Sequence, residues 1–376
     1  MSQLHRARNA VLAAILVAAA LIVSAAPASA EEYSSTPVGS WSLNGRVHAS
    51  VVVGNRVILG GTFTTATSPS GASVSRSRLA AFDVRTGALD TAFNPGADGT
   101  VRALASDGAT VWVGGVFSRI GTVTRARLAA VSATSGALRT GFTASANAGV
   151  LALDVRAGKL YVGGDFTTLS GRARSRAGAV DAVTGAVDAG FVPSIDARVA
   201  AVRVSPTAST AYLGGSFARV NGAARTGLAA VDLTTGSTRP ATFAGSVSPT
   251  LSVDVRSDGS EVYAAQGGSG NSAVAWRSAG GTRLWSQRAD GDVQTVRYDG
   301  GDVFFGFHDG FGGTTTTKLL AANATTGVLD RDFRPVFNGF WGIFTVAVAD
   351  GYLVAGGEFT QVGGVRAGSW ARFPVG

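Results

Sequence analysis

One phrase limits the possible folds more than any other feature of the chain. LYVGGDF at residues 160–166 recurs as VILGGTF at 57–63, VWVGGVF at 111–117, AYLGGSF at 211–217 and LVAGGEF at 353–359. Two altered copies, VYAAQGG from Val262 and VFFGFHD from Val303, fill the gap between them. The first glycine or its equivalent falls at positions 60, 114, 163, 214, 265, 306 and 356, a period of about fifty residues met seven times. A glycine pair inside an apolar strand forfeits side-chain packing and costs backbone entropy. Its compensation is a close approach by neighbouring backbone or a β-bulge. The pairs Gly60 and Gly61, Gly114 and Gly115, Gly163 and Gly164, Gly214 and Gly215, and Gly356 and Gly357 therefore read as structural punctuation.

Other features keep the same beat. About fifteen residues after each glycine pair comes a second strand with a tight turn, as in RLAAFDVRTG, RLAAVSATSG, RAGAVDAVTG and GLAAVDLTTG. A large aromatic follows: Phe93, Phe142, Phe191, Phe243, Trp285 and Phe333. Then another strand begins, such as VLALDVRAG, and its turn leads back to the glycine phrase. Alternation and β-branching mark these segments as strands, and nothing after residue 30 carries a sustained helical period. Four strands per period predict an all-β, seven-bladed β-propeller of four-stranded blades. A β-solenoid, the alternative, has a shorter repeat without four reversing turns. The last period stops after its third strand, SWARF at 369–373. GSWSLNG at 39–45 supplies the missing strand, with Trp41 in the place of Phe93, so the N-terminal strand is expected to complete the last blade and close the ring.

Residues 1–30 have a basic start, an apolar run from Ala10 to about Ala26, and an Ala-Ser-Ala triplet ending at Ala30. This is the pattern of a secretory signal peptide cleaved after Ala30; an uncleaved anchor is the alternative. The expected organisation is a signal peptide at 1–30, a short segment at 31–38 and one propeller domain at 39–376. The product is a secreted monomer with no membrane attachment after cleavage. Cleavage removes Arg6 and Arg8 and no acid, so the net charge of +8 falls by two. That excess is spread along the chain rather than gathered in a stripe, which argues against nucleic acid as a partner.

The recurring block G-G-x-F…G-x-x-R-x-x-L-A-A-(V/F)-D-x-x-T-G-x-x-x-x-x-F-x-P, seen most fully at residues 160–193, resembles the delta-60 repeat family of bacterial β-propellers. The resemblance implies the propeller fold and export, and no defined activity. AVDAVTG and AWRSAGGTRLW are also similar to the repeat of pyrroloquinoline quinone dehydrogenases. Those enzymes require an acidic base and a calcium site, and often a vicinal disulfide; this chain has no Cys. The likeness is read as shared blade geometry.

Chemistry-bearing residues are sparse. After residue 30 the histidines are His48 and His308, in different repeats, which argues against a His-based triad or a multi-His metal site. No catalytic residue, metal or cofactor is assigned. His308 and Asp309 form either a lone acid/base pair or a polar loop. Asp165 and Glu358 share the x slot of Gly-Gly-x-Phe in repeats three and seven, too far apart for paired-carboxylate chemistry unless that slot faces a central channel. Arg76, Arg125, Arg174, Arg225 and Arg366 recur three residues before the Leu-Ala-Ala strand. They either bond carbonyls of their own loops or form an interrupted cationic ring for an anionic ligand. Repeats five and six lack this Arg, and Phe304, Phe305, Phe307, Phe311, Phe340 and Trp341 gather in or just after repeat six. These aromatics read either as blade core or, with Trp341, as part of a binding loop. The functional expectation is a non-catalytic extracellular scaffold for a glycan, an envelope polymer or a protein. The alternative is a propeller enzyme, a hydrolase or a quinone-dependent dehydrogenase.

Overall fold

In each repeat the second strand is buried along nearly its whole length, as in Lys159–Gly164, where every residue after Lys159 is buried. Such a strand must be covered on both faces. The computed structural model of the protein describes residues 32–376, and the signal peptide expected at 1–30 lies outside them. Among the described residues there is no helix. Their strands form seven main antiparallel sheets, one per repeat. Sheet one runs Val47–Val53, Arg56–Gly61, Leu79–Asp83, and sheet seven runs Gly342–Ala349, Tyr352–Glu358, Trp370–Pro374. The first strands pack side by side in chain order, and that of sheet seven packs against that of sheet one.

The core lies between sheets rather than at a single centre. Leu79, Phe93 and Ile58 of repeat one pack with Val101, Val113 and Phe117 of repeat two. Equivalent clusters join each later pair. The seventh joins Val354 and Trp370 to Val47, Leu59, Phe63 and Phe82.

The glycine pair makes both the packing and the strand geometry possible. A Cβ on Gly114 would lie 2.5 Å from Val150 Cγ1, the first residue of the next sheet, and one on Gly163 2.6 Å from Val199 Cγ1. Gly356 stands in the same relation to Val47, at 2.6 Å. The second glycine leaves room for a carbonyl: a Cβ on Gly61 would fall on Arg46 O, and one on Gly115 on Thr100 O. At that point each first strand carries a register shift, between Val47 and Ala49 in sheet one and between Val150 and Ala152 in sheet three. Gln266 and Phe307 replace the second glycine in sheets five and six, and the shift persists there. Both explanations raised by the sequence, close approach and bulge, therefore operate together.

Two expectations are corrected. Four-stranded sheets are the exception: sheet five alone carries a full fourth strand, Arg283–Arg288. Elsewhere the fourth strand shrinks to a bridge, such as Phe82 to Leu89 or Val180 to Val187. In sheets three and six the cause is local. Asp188 Oδ1 accepts the amides of Gly190 and Phe191, and Asp330 Oδ1 those of Asp332 and Phe333, so an Asx turn ends the strand and delivers the aromatic. Sheets two and four carry Arg139 and Arg239 at that place and also keep only a bridge, whereas in sheet five the strand runs on to Trp285 and beyond.

The second correction concerns the N-terminal segment. It runs beside the last strand at residues 33–38, not 39–45. Tyr33 bridges Val375 and Val38 bridges Arg372. The chain leaves the strand at Gly39, whose carbonyl accepts from Arg372 Nη2 at 2.7 Å. Ser42–Leu43 then pairs with Thr65–Thr67 of the first repeat. Trp41 packs against the last cluster, and its carbonyl accepts from Trp370 Nε1 at 2.7 Å.

Gly114→Val is expected to lower stability by about 3 kcal/mol, because the added methyls displace Val150. Adding Val150→Ala should recover part of that loss; chemical denaturation of the two variants and the parent measures the coupling.

Candidate ligand site at the channel mouth

The bulge sets the site. In every first strand one residue stands outside the ladder at the register shift: His48, Arg102, Leu151, Ala200, Leu251, Gln294 and Phe344. A bulge re-aims its side chain, and these seven side chains line one cavity of about 530 Å³ where the first strands begin. The x slot of the glycine phrase adds Val116, Asp165, Ser216 and His308, and the connection before sheet seven adds Trp341.

The charges in this mouth are unevenly matched. Arg198 holds Asp165 through two bonds, Nε to Oδ1 at 2.8 Å and Nη2 to Oδ2 at 2.9 Å. Arg46 pairs with Glu358 and lies over the Trp341 ring, 5.0 Å from its centroid. The two slot carboxylates thus each answer an arginine of the following sheet, and the pair from sheet seven to sheet one repeats the pair from sheet three to sheet four. Arg102 has no hydrogen bond or ion pair among the described residues. Desolvation by the mouth walls, then the like charges of Arg198 and Arg46, hold its pKa below the usual arginine value. His48 packs on Phe344 with ring centroids 5.0 Å apart. Burial, then Arg102 and Arg46, push its pKa down to about 3, so the imidazole is neutral at physiological pH.

His308 Nε2 accepts the Asp292 amide at 3.1 Å, and Nδ1 faces Asp309 Oδ2 at 3.0 Å. Asp292 Oδ1 accepts from the Gly268 amide at 2.6 Å. Phe340 and Trp341 are 57% and 39% exposed and meet edge to face, 5.1 Å between centroids. Lys318 Nζ donates to Phe340 O at 3.2 Å, and Gln294 Nε2 donates to Trp341 O at 3.1 Å. These bonds hold the aromatic pair at the mouth.

Of the residues singled out in the sequence, the structure brings His308, Asp309 and Trp341 together here. Phe304, Phe305 and Phe307 are buried between sheets. None of the five recurring arginines lines the mouth. Four fasten loops: Arg174 donates Nη1 to Ala173 O at 2.8 Å and Nη2 to Asp188 O at 2.6 Å, and Arg76, Arg125 and Arg225 repeat the pattern. Arg366 is exposed. Sequence reading missed Arg102, Arg198, Gln294 and the role of His48. The signal was present: each stands one residue from a recurring β-branched position, or in the slot before it.

At the other end of the first strands, Asp154, Arg203, Asp254 and Arg297 alternate in sign across sheets three to six. Arg203 Nε lies 2.8 Å from Asp254 Oδ1. Asp154 accepts the amides of Val155 and Val204, and Asp254 those of Val255 and Tyr298. Each carboxylate thereby ties its sheet to the next, which is a fastening role.

No family model and no curated protein matches the sequence. Solved structures do. The chain is similar to the WD40 β-propeller domain of Doa1, at 12% identity and a TM-score of 0.60, over 91% of this chain and 96% of that one. It is also similar to the computationally designed protein Ika8, at 14% identity and a TM-score of 0.55, over 89% of this chain and 98% of that one. At such identities the likeness is one of fold, and the fold is an all-β propeller.

His48 generates a pH prediction. Its folded pKa is depressed, so the unfolded chain takes up the proton first and stability falls as pH drops below about 6.5. By pH 4 the histidine's share of the loss should reach about 3 kcal/mol. His48→Gln should flatten the stability–pH curve between pH 6.5 and 4; an unchanged slope would show that His48 is not held neutral.

Proposed function

We propose that this protein is an exported, non-catalytic binding module of the delta-60 repeat type. In this reading it is a seven-bladed propeller whose mouth takes an extracellular glycan or envelope polymer. One observation carries it: Arg102 reaches the mouth as a solvent-exposed guanidinium with no hydrogen bond or ion pair among the described residues. Such a guanidinium is free to take an anionic ligand group in two parallel hydrogen bonds. Propellers commonly serve as binding scaffolds, and the seven bulge positions place side chains of different chemistry around one opening. Closure is supported by the likeness of the last interface to the others: the same contact of glycine with a β-branched side chain, the same kind of apolar cluster, and the arginine–carboxylate pair that also joins sheets three and four.

Two experiments test the reading. The exported chain is incubated with isolated cell walls and the retained fraction is measured. Arg102→Ala and Trp341→Ala should each cut retention roughly tenfold. Replacing Arg76, Arg125, Arg174 and Arg225 should lower the melting temperature and leave retention intact at a temperature where the variant is folded. Retention that ignores Arg102 and Trp341 overturns the assignment. For closure, a chain lacking residues 33–43 should lose most of its cooperative unfolding transition and aggregate; a variant as stable as the parent overturns it.

A further inference from the structure

Beside the exposed Arg102 guanidinium, the mouth holds a buried polar atom without a partner. Gln294 commits its amide nitrogen to Trp341 O, and its Oε1 is buried without a donor. Beside Gln294 stands the exposed Phe340 and Trp341 pair. A ligand that answers all three needs one anionic group, a hydroxyl to donate and an apolar ring face.

We propose that the ligand of this mouth is a sugar acid, a pyranose bearing a single carboxylate, as a residue of an acidic polysaccharide. The inference rests on the reading of the mouth as the binding site and names its ligand class. Arg46 and Arg198 are already matched by Glu358 and Asp165, and His48 is neutral, so Arg102 offers one uncompensated positive charge. A guanidinium fork fits a carboxylate in two parallel bonds. The C–H face of a pyranose lies on Trp341, and a ring hydroxyl donates to Gln294 Oε1. The cavity of about 530 Å³ falls in the range of small-ligand sites. Asp292 and Asp309 flank His308 beside Trp341, and they repel a densely charged polyanion. That arrangement favours one carboxylate per ring over a run of phosphodiesters, and a neutral glycan leaves Arg102 unanswered.

Isothermal titration calorimetry on the exported chain tests this. The probes are oligomers of galacturonate, glucuronate and mannuronate, the same oligomers with their carboxyls reduced to alcohols, and polyglycerol phosphate. At least one uronate oligomer should bind, and its reduced form should bind roughly tenfold to a hundredfold more weakly. Arg102→Ala should remove that difference, weakening the acid and sparing the reduced form. Trp341→Ala and Gln294→Leu should weaken both forms alike. Binding by none of the three uronates, equal binding of acid and reduced forms, or tighter binding of polyglycerol phosphate overturns the proposal. If wall retention still depends on Arg102 and Trp341 while the uronates fail, the sugar-acid inference falls and the binding reading stands. If retention ignores both residues as well, both fall.

Discussion

Each sheet is seated against its neighbour by a β-branched side chain placed in a hollow that glycine leaves. Val101, Val150, Val199, Thr250, Ile343 and Val47 fill the spaces beside Gly60, Gly114, Gly163, Gly214, Gly306 and Gly356. The glycine gives up its own packing and gains that of the next strand's first residue. Sheet five shows the limit of the device: Ala265 occupies the hollow there, one methyl larger, and its sheet still packs on Val293. Interiors packed at this density feel single methyl groups, so the repeat of the phrase is a repeat of one fitted contact.

That contact fixes where the polar chemistry can go. With the first residue of each strand turned into the neighbour, the ladder slips by one residue and the next side chain faces the mouth. Apolar material is used up between sheets, where Phe63, Phe117, Phe166, Phe217 and Phe359 are all at most 2% exposed. Charged residues are left to the two ends of the first strands. At one end they are satisfied by backbone amides and by each other. At the other, two pairs are matched and Arg102 is not. The same architecture thus yields a fastened end and one with an open guanidinium.

Much of this was legible before any coordinates. The strand order, the turn chemistry and the equivalence of Trp41 to Phe93 follow from spacing alone, because turns and buried strands have strong local signatures. In sheets three and six the shortened fourth strand was hidden by competition: the Asp188 and Asp330 carboxylates take backbone amides that an ideal ladder would have used. Period alone also could not say which recurring polar residue faces a ligand. The arginines that keep strict time, Arg76 to Arg225, serve the loops they recur in. Arg102, His48, Gln294 and Phe344 occupy one repeated position with unlike side chains, so a search for likeness passes over them.

That unlikeness has a consequence of its own. The bulge is held by backbone geometry and by the residues on either side of it, and histidine, arginine, leucine, alanine, glutamine and phenylalanine all occupy it. Specificity and foldability are therefore written in separate registers of the same strand. A rim of seven such positions can be recomposed one at a time, like type in a fixed frame, and the frame has no stake in what it spells.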